Sequence, residues 1–124
     1  ESRKDRGFEV RIELRFPPKE LSPNWSGSFR QFLRVKMAYR DECYWKTLEQ
    51  VGRWRPAEHG TIPVTLTIFK PDRRKYDDDN LEGRAKRSRD GVAKALGVDD
   101  NRFKVTRVIS DEIKKGGMIV FEFE

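Results

Sequence analysis

Three consecutive carboxylates follow a strongly basic segment in the second half of the chain. Residues 70–79 read KPDRRKYDDD, so Asp77, Asp78 and Asp79 follow closely after four basic side chains: Lys70, Arg73, Arg74 and Lys75. Residues two apart in an extended segment point the same way, so we expect the carboxylates of Asp77 and Asp79 to converge. Oxygen ligands of this kind bind hard cations such as Mg²⁺ or Mn²⁺. The pattern predicts a metal site beside a surface that binds a polyanion.

Two other kinds of metal site do not fit the sequence. An EF-hand loop that begins at Asp77 would need Gly at its sixth position and Glu at its twelfth, where the chain has Glu82 and Ser88. A zinc site would need more than His59 and Cys43, the single histidine and the single cysteine. A simpler interpretation stays open, in which the aspartates form a polar turn and Asp79 caps a helix.

The helix predicted after the aspartates carries a candidate lysine. Asp79, Gly83, Lys86 and Asp90 follow the spacing i, i+4, i+7, i+11 and therefore share one strip of that helix. Lys86 leans toward the N-terminus and could reach a phosphate near Asp79, because Gly83 has no side chain to block it. Equally, Lys86 could be an exposed lysine paired with Asp90.

A second acidic pair, Asp99 and Asp100, follows the helix and precedes a predicted strand. Metal-assisted hydrolysis of a phosphodiester needs carboxylates from separate elements around the ion, the attacking water and the leaving oxygen. Asp77, Asp79 and one member of this pair would supply them. As a bare motif the pair is also typical of a turn.

Alternating apolar residues predict the strands that position these groups. The segments 8–16 and 61–69 both alternate, and two further strands are expected at about 103–109 and 117–123, joined by a turn with Gly116 and Gly117.

Two helices are expected between the strands. The first starts with a capping box of Ser28 and Gln31 and ends at Gly52. Its apolar residues are Phe29, Leu33, Met37, Tyr44, Leu48 and Val51. The second carries an apolar stripe and ends at Gly97. This stripe consists of Leu81, Ala85, Ser88, Val92 and Leu96. The order β-α-β-α-β-β predicts an α/β (α+β) fold, a single domain over 1–124 with a mixed four-stranded sheet and two main helices.

Composition favours a nucleic acid as the polyanion. The chain has 124 residues, a formal net charge of +6 and a pI near 9.6, which suits an anionic partner. Cys43 cannot form an internal disulfide and is expected to be a small buried side chain. No apolar run approaches the roughly 20 residues that span a bilayer, and the charged opening ESRKDRG lacks a signal-peptide core. We therefore expect a cytoplasmic protein.

The three tryptophans, Trp25, Trp45 and Trp54, could stack on unpaired bases. Trp45 lies within the first predicted helix and is expected in the core. Trp25 lies in a loop, where stacking on a base stays open.

The segments PDRRKYDDDNL and RDGVAKALGVDD and the strand leading to KKGG resemble the RusA-type Holliday junction resolvases of bacteria and their phages. FPP and AYRDE in the first half are also similar to that family. The resemblance implies a homodimeric, Mg²⁺-dependent endodeoxyribonuclease, with Mn²⁺ as a substitute, that nicks four-way DNA junctions symmetrically in recombination and repair.

The resemblance also implies roles for particular residues. Asp77, Asp79 and Asp100 fall on the catalytic, metal-binding aspartates of the family. Counted forward from Asp79, the position of the family lysine is occupied by Gly83; counted back from Asp90, it is Lys86, which we favour.

Two other classes of protein remain possible. Lys70, Arg73, Arg74 and Lys75 are expected to contact DNA phosphates in a salt-sensitive, sequence-independent way. A non-catalytic module that recognises branched or duplex DNA would explain this charge but not the convergent carboxylates. A phosphoesterase acting on nucleotides is disfavoured by the number of arginines.

Overall fold

Strands and helices follow one another along the chain in the predicted order. A computed structural model describes residues 8–124, so residues 1–7 of the expected domain 1–124 lie outside the described part. The elements are β1 (Val10–Arg15), α1 (Phe29–Val51), β2 (Ile62–Phe69), α2 (Asp78–Ala85), α3 (Arg89–Leu96), β3 (Phe103–Ile109) and β4 (Met118–Phe123). The second predicted helix is divided into α2 and α3 by a 3-10 turn at Lys86–Ser88. The mixed α+β fold is confirmed.

The sheet has the strand order β1-β4-β2-β3. β2 pairs in parallel with β3 and antiparallel with β4, and β4 pairs antiparallel with β1. Gly116 and Gly117 form the expected turn, with φ values of 81° and 75° that favour glycine. The strands on either side of this turn are nevertheless not a hairpin, because β2 lies between them.

One face of the sheet forms the core with the helices. Alternate residues of the strands are almost completely buried there: Val10, Ile12, Leu14, Ile62, Val64, Leu66, Ile68, Ile119, Phe121 and Phe123. Every member of the apolar stripe predicted for the second helix is buried as well, from Leu81 to Leu96. The 3.6-residue period therefore continues through the 3-10 turn, where the Ser88 hydroxyl donates to the Ala85 carbonyl at 2.6 Å.

Helix α1 begins and ends where the sequence predicts. The Ser28 hydroxyl accepts a hydrogen bond from the Gln31 amide at 3.0 Å, and Gly52 follows the last residue with φ 59°. The buried face differs from the expected one, because Tyr39, Cys43, Thr47 and Val51 face the core. The Tyr39 hydroxyl donates to the Arg15 carbonyl at 2.7 Å, which fixes this face against β1.

The expectation that Trp45 packs in the core is wrong. Its side chain is 62% exposed, because the register set by Tyr39 and Cys43 turns it outward. Cys43 is confirmed as a buried side chain, and burial raises the pKa of its thiol to about 12. A thiol with such a pKa stays protonated at neutral pH, so it is a poor nucleophile.

Within residues 8–124, no helix combines the length and the apolar character needed to cross a membrane.

Candidate active site

Asp77, not Asp79, caps the helix that follows the basic segment. Its Oδ1 accepts hydrogen bonds from the amides of Asp79 at 2.9 Å and Asn80 at 3.4 Å, and α2 begins at Asp78. Because Asp77 is extended and Asp79 lies in the first helical turn, the two do not share an extended segment. The expectation that they converge by strand alternation is therefore wrong, as is the assignment of the cap to Asp79.

Lys86 and Asp100 line one cleft of about 270 Å³. The other lining residues are Pro23, Gly83, Arg87 and Asp90. Three of the four residues on the predicted helical strip therefore face this space. Asp79, the fourth, is not among them, and neither is Asp77. The structure brings together the lysine and the later aspartate of the predicted site, while the earlier two aspartates lie outside the lining.

A second cleft of about 390 Å³ adjoins the first. It is lined by Arg40, Asp90, Ala93, Lys94, Val98, Asp99 and Asp100. Because Asp90 and Asp100 line both clefts, these carboxylates form the boundary between them. Lys86 takes part in none of the ion pairs described for residues 8–124, so its ammonium is not committed to Asp90.

The carboxylate of Asp100 is crowded by like charges. Burial is the largest cause that raises the pKa of Asp100, and the negative charges of Asp90 and Asp99 raise it further. The positive charge of Arg89 lowers it. Carboxylates that repel one another in this way favour a bound cation or a proton. Asp90 therefore belongs to the candidate site. The sequence placed it on the same helical strip as Lys86 but predicted no metal-binding role for it.

Arg89 lies close to Asp100, and Arg107 lies close to Arg89. Burial, and then the positive charge of Arg107, lower the pKa of Arg89. The Nε of Arg89 is buried without a hydrogen-bond partner within the described chain. Arg107 is in register with Leu66, which places it on the core side of β3 between Val105 and Ile109. In the alternating sequence of β3, Arg107 stands at a position where an apolar residue is expected. This departure from the pattern is the sequence feature that could have pointed to Arg107.

The fit around Gly83 bears on the position of the lysine. A Cβ added to Gly83 would lie 2.5 Å from Cγ and 3.0 Å from Cδ of Pro23. A side chain at position 83 would therefore force Pro23 to move. Lys86 faces the same cleft without this obstacle, which favours Lys86 over position 83 as the site lysine.

The described residues contain no ready-made metal cage. Within residues 8–124, no three Asp, Glu, His or Cys side chains form a group that could hold an ion. Mg²⁺, however, is commonly bound by one or two carboxylates together with waters and substrate phosphates. The crowded pair Asp90 and Asp100 fits that less demanding arrangement.

The basic segment before α2 is organised by its own side chains. Arg74 binds the Asp72 carboxylate, with Nε 3.3 Å from Oδ1 and 3.2 Å from Oδ2, and the Tyr76 hydroxyl donates to Oδ1 at 2.9 Å. The hydrogen bond from Arg74 lowers the pKa of Asp72. Arg73 and Lys75 are exposed and take part in none of the described ion pairs. Of the four predicted DNA contacts, Lys70, Arg73 and Lys75 therefore have no ion-pair partner within the described chain, while Arg74 is bound to Asp72.

The fold and the cleft define an α+β protein with an acidic, arginine-bordered depression on its helical side. A protein of Xylella fastidiosa (strain Temecula1), described as "Uncharacterized protein", is 34% identical over 113 residues, which cover 88% of this chain and 72% of the relative. The chain belongs to the same family as this bacterial protein. No protein-family model matches it.

Proposed function

We propose that the protein is a metal-dependent endodeoxyribonuclease of the RusA type, which resolves four-way DNA junctions by paired symmetric nicks in recombination and repair. The observation that carries the proposal is the cleft in which Lys86, Asp90 and Asp100 meet. Hydrolysis of a phosphodiester needs acidic groups that can hold a metal ion and a cation that can stabilise charge developing on the phosphate. A resemblance of motif to that family supports the proposal independently of the cleft.

The proposed cofactor is Mg²⁺, with Mn²⁺ as a substitute. Asp100 and Asp90 would hold the ion from the cleft boundary, and Asp77 and Asp79 would contribute from the start of α2 when DNA is bound. Asp77 has used Oδ1 to cap α2, so its Oδ2 is the oxygen that remains for a ligand. A bound Mg²⁺ supplies a water of lowered pKa and neutralises charge on the leaving oxygen.

The cations of the site would position the phosphate. Lys86 faces the cleft without an ion-pair partner in the described chain, so it can offset charge that develops on the phosphate. Arg89 and Arg107 would hold phosphate oxygens beside Asp100, since guanidinium groups suit two-point binding of phosphate.

The basic segment would position the DNA backbone. Arg73 and Lys75 are exposed at the end of β2, and Lys70 and Arg74 lie within the same turn. The link between Asp72, Arg74 and Tyr76 restricts this turn, so less conformational entropy is lost when DNA binds. Contacts of this kind set affinity and its salt dependence rather than sequence preference.

Two further parts of the proposal concern assembly and compartment. Paired nicks on a symmetric junction require two active sites, so we propose a homodimer. The relative is bacterial, and we propose that the protein acts in the cytoplasm of a bacterium or is encoded by a phage.

The test is cleavage of a four-way junction by Asp100→Asn and Asp79→Asn, with Asp111→Asn as the control. Asp111 is an exposed aspartate that lines neither cleft. We expect the first two variants to bind the junction as tightly as wild type and to nick it at least about 100-fold more slowly, since they remove carboxylates that are proposed to hold the Mg²⁺ ion. Equal cleavage by all three variants would contradict the assignment of the site.

A non-catalytic module for branched or duplex DNA is the second candidate. It is favoured by the finding that no group of three potential metal ligands forms within residues 8–124. Wild-type protein that binds junctions but never cuts them in Mg²⁺ or Mn²⁺ would establish this alternative.

A further inference from the structure

Two stacked phenylalanines at the start of α1 lead to the edge of the candidate active site. The ring centroids of Phe29 and Phe32 lie 6.3 Å apart, with 23° between the ring planes. Arg87 lies over the Phe32 ring, with Cζ 5.3 Å from its centroid. Arg87 also lines the cleft that contains Lys86 and Asp100. A row of flat groups therefore runs from this cleft onto the first turn of α1.

The outer ring of this phenylalanine pair is open to solvent. Phe29 is 72% exposed, whereas Phe32 is half-buried and packs against the hydrophobic core. Residues three apart on a helix are neighbours on its surface, so the anchored ring of Phe32 supports the ring of Phe29. Leu33, one turn after Phe29, is also exposed, at 38%. Neighbouring exposed apolar side chains beside a cleft are typical of a binding surface.

The charge around the pair suits an anionic partner. Residues 29–40 read FRQFLRVKMAYR, with four basic residues and no Asp or Glu. Arg30 and Arg34 are exposed and take part in none of the ion pairs described for residues 8–124. The positive end of the helix dipole lies at this same terminus. Aromatic rings among basic groups fit a ligand that has both phosphates and flat rings, which is the chemistry of a nucleic acid.

Neither Trp25 nor Trp45 offers an equivalent ring beside the cleft. Trp25 folds back so tightly that a Cβ added to Gly27 would overlap its indole ring. Trp45 is exposed, but Asp41 and Glu49 lie one turn before and one turn after it. Trp45 also lies roughly 20 Å further along α1 than the phenylalanine pair, at 1.5 Å per residue. Of these aromatic residues, the pair is the one that joins an open ring to the site.

We propose that Phe29, supported by Phe32, stacks on an unpaired base of the DNA strand whose phosphate lies in the cleft at Lys86. Arg87 lies between the two positions, where its guanidinium can bind a phosphate of the same strand. A base without a pairing partner turns outward at least cost, so the contact selects DNA with unpaired bases over a regular duplex. Because every base has a flat face, the contact reads DNA structure rather than sequence. This inference rests on the proposed DNA substrate and adds a residue that selects among DNA structures.

The first test compares two DNA probes by fluorescence anisotropy in EDTA, where no cleavage is needed. The probes are a linear duplex and the same duplex with a bulge of unpaired thymidines. Phe29→Leu keeps an apolar side chain but removes the flat ring, and it should weaken binding of the bulged duplex at least about 5-fold, the lower end of what one stacked base contributes. Phe29→Trp should bind this probe as tightly as wild type. Binding of the linear duplex should be the same for all three proteins.

The dependence on salt and a matched control separate stacking from other effects. Stacking releases no counterions, so Phe29→Leu should lose the same factor at every salt concentration and keep the slope of log K against log salt. Val108→Ala is the control, because Val108 is an exposed apolar side chain on β3. It should bind both probes like wild type, and circular dichroism verifies that each variant is folded. Equal binding of the bulged duplex by wild type and Phe29→Leu would overturn the proposal and leave the pair as a contact for an apolar surface of another molecule.

The second test locates the contact directly. The bulge carries 5-iodouracil, the wild-type complex is irradiated, and the crosslinked residue is identified by mass spectrometry. We expect the crosslink at Phe29, and a crosslink at Trp25, Trp45 or Tyr76 instead would contradict the assignment. Neither test depends on hydrolysis. A protein that shows both effects but never cuts DNA would refute only the nuclease, whereas a nuclease whose Phe29→Leu variant binds the bulge normally would refute only the stacking contact.

Discussion

Lys86 and Asp100 line the same cleft although helix α3 separates them along the chain. The 3-10 turn holds Lys86 at the start of α3, and the segment after Gly97 returns Asp100 to the same space. Asp90 lies between them, on the boundary of both clefts. The lysine is thus held by the 3-10 turn before α3, one carboxylate by α3 itself and the other by the segment that follows it.

Lys86 should act on the rate of cleavage rather than on binding. We expect Lys86→Met to lower kcat by about 100-fold, the usual loss when one group that stabilises developing charge is removed. The KM for the junction should change little. Lys94→Met is the control, because Lys94 is an exposed lysine on α3 that lines only the second cleft. The rate of cleavage is measured by single-turnover kinetics. Similar decreases of this rate in Lys86→Met and Lys94→Met would contradict the role proposed for Lys86.

Gly83 and Pro23 should be energetically coupled. Gly83→Ala should destabilise the fold by about 1–3 kcal/mol, because the new methyl group meets the ring of Pro23. In a Pro23→Ala background the same change should instead stabilise it by up to about 1 kcal/mol, the gain in helix propensity. Urea unfolding of the four proteins measures this reversal of sign. An identical effect of Gly83→Ala in both backgrounds would show that the contact is unimportant.

Asp100 should reduce stability at neutral pH. Its pKa is raised in the fold, so folding favours its protonated form, and that contribution is lost as pH rises through the folded pKa. Asp100→Asn should therefore raise Tm at pH 7 and give no gain below about pH 4, where the carboxyl is protonated even in the unfolded chain. Mg²⁺ should raise the Tm of wild type more than that of the variant. Thermal melts across pH, with Asp111→Asn as control, check both points. A lower Tm of Asp100→Asn than of wild type at pH 7 would contradict the repulsion between Asp100 and its acidic neighbours.

Arg73 and Lys75 should account for part of the salt dependence of DNA binding. Changing both to Gln should weaken binding equally for all sequences and reduce the slope of log K against log salt by about 2. Lys104 and Arg53, exposed residues that line neither cleft, give a control with the same loss of charge when changed to Gln. Fluorescence anisotropy in EDTA over a salt series makes the comparison, and equal slopes for the two double variants would argue against a specific basic segment.

Local patterns predicted the elements well and their orientation less well. The stripe from Leu81 to Leu96 is buried as its period requires, and Ser28 caps α1 through the interaction its spacing predicts. The orientation of α1 could not be predicted, because apolar residues occur on two of its sides and only contacts with β1 and α3 decide which one is buried. Trp45 and Met37 are exposed for this reason.

The sequence predicted several residues of the candidate site but not which of them the fold brings together. Lys86, Asp90 and Gly83 share a helical strip that periodicity reveals, and all three line the cleft. The position of Asp77 was misjudged because capping of α2 competes with an extended backbone, and the cap prevails when two amides are available. The positions of Asp100 and Arg107, each close to Arg89, depend on the crossover between β2 and β3, which no local pattern specifies.

Cleavage of a four-way junction by the wild-type protein tests the central claim most directly. The substrate should be compared with a linear duplex of the same sequence, each in Mg²⁺ and in EDTA, with strands labelled separately so that paired nicks are visible. We expect symmetric nicks in the junction in Mg²⁺ and none in EDTA or in the linear duplex. Tight binding of the junction with no cleavage in Mg²⁺ or Mn²⁺ would contradict the nuclease and leave a DNA-binding module.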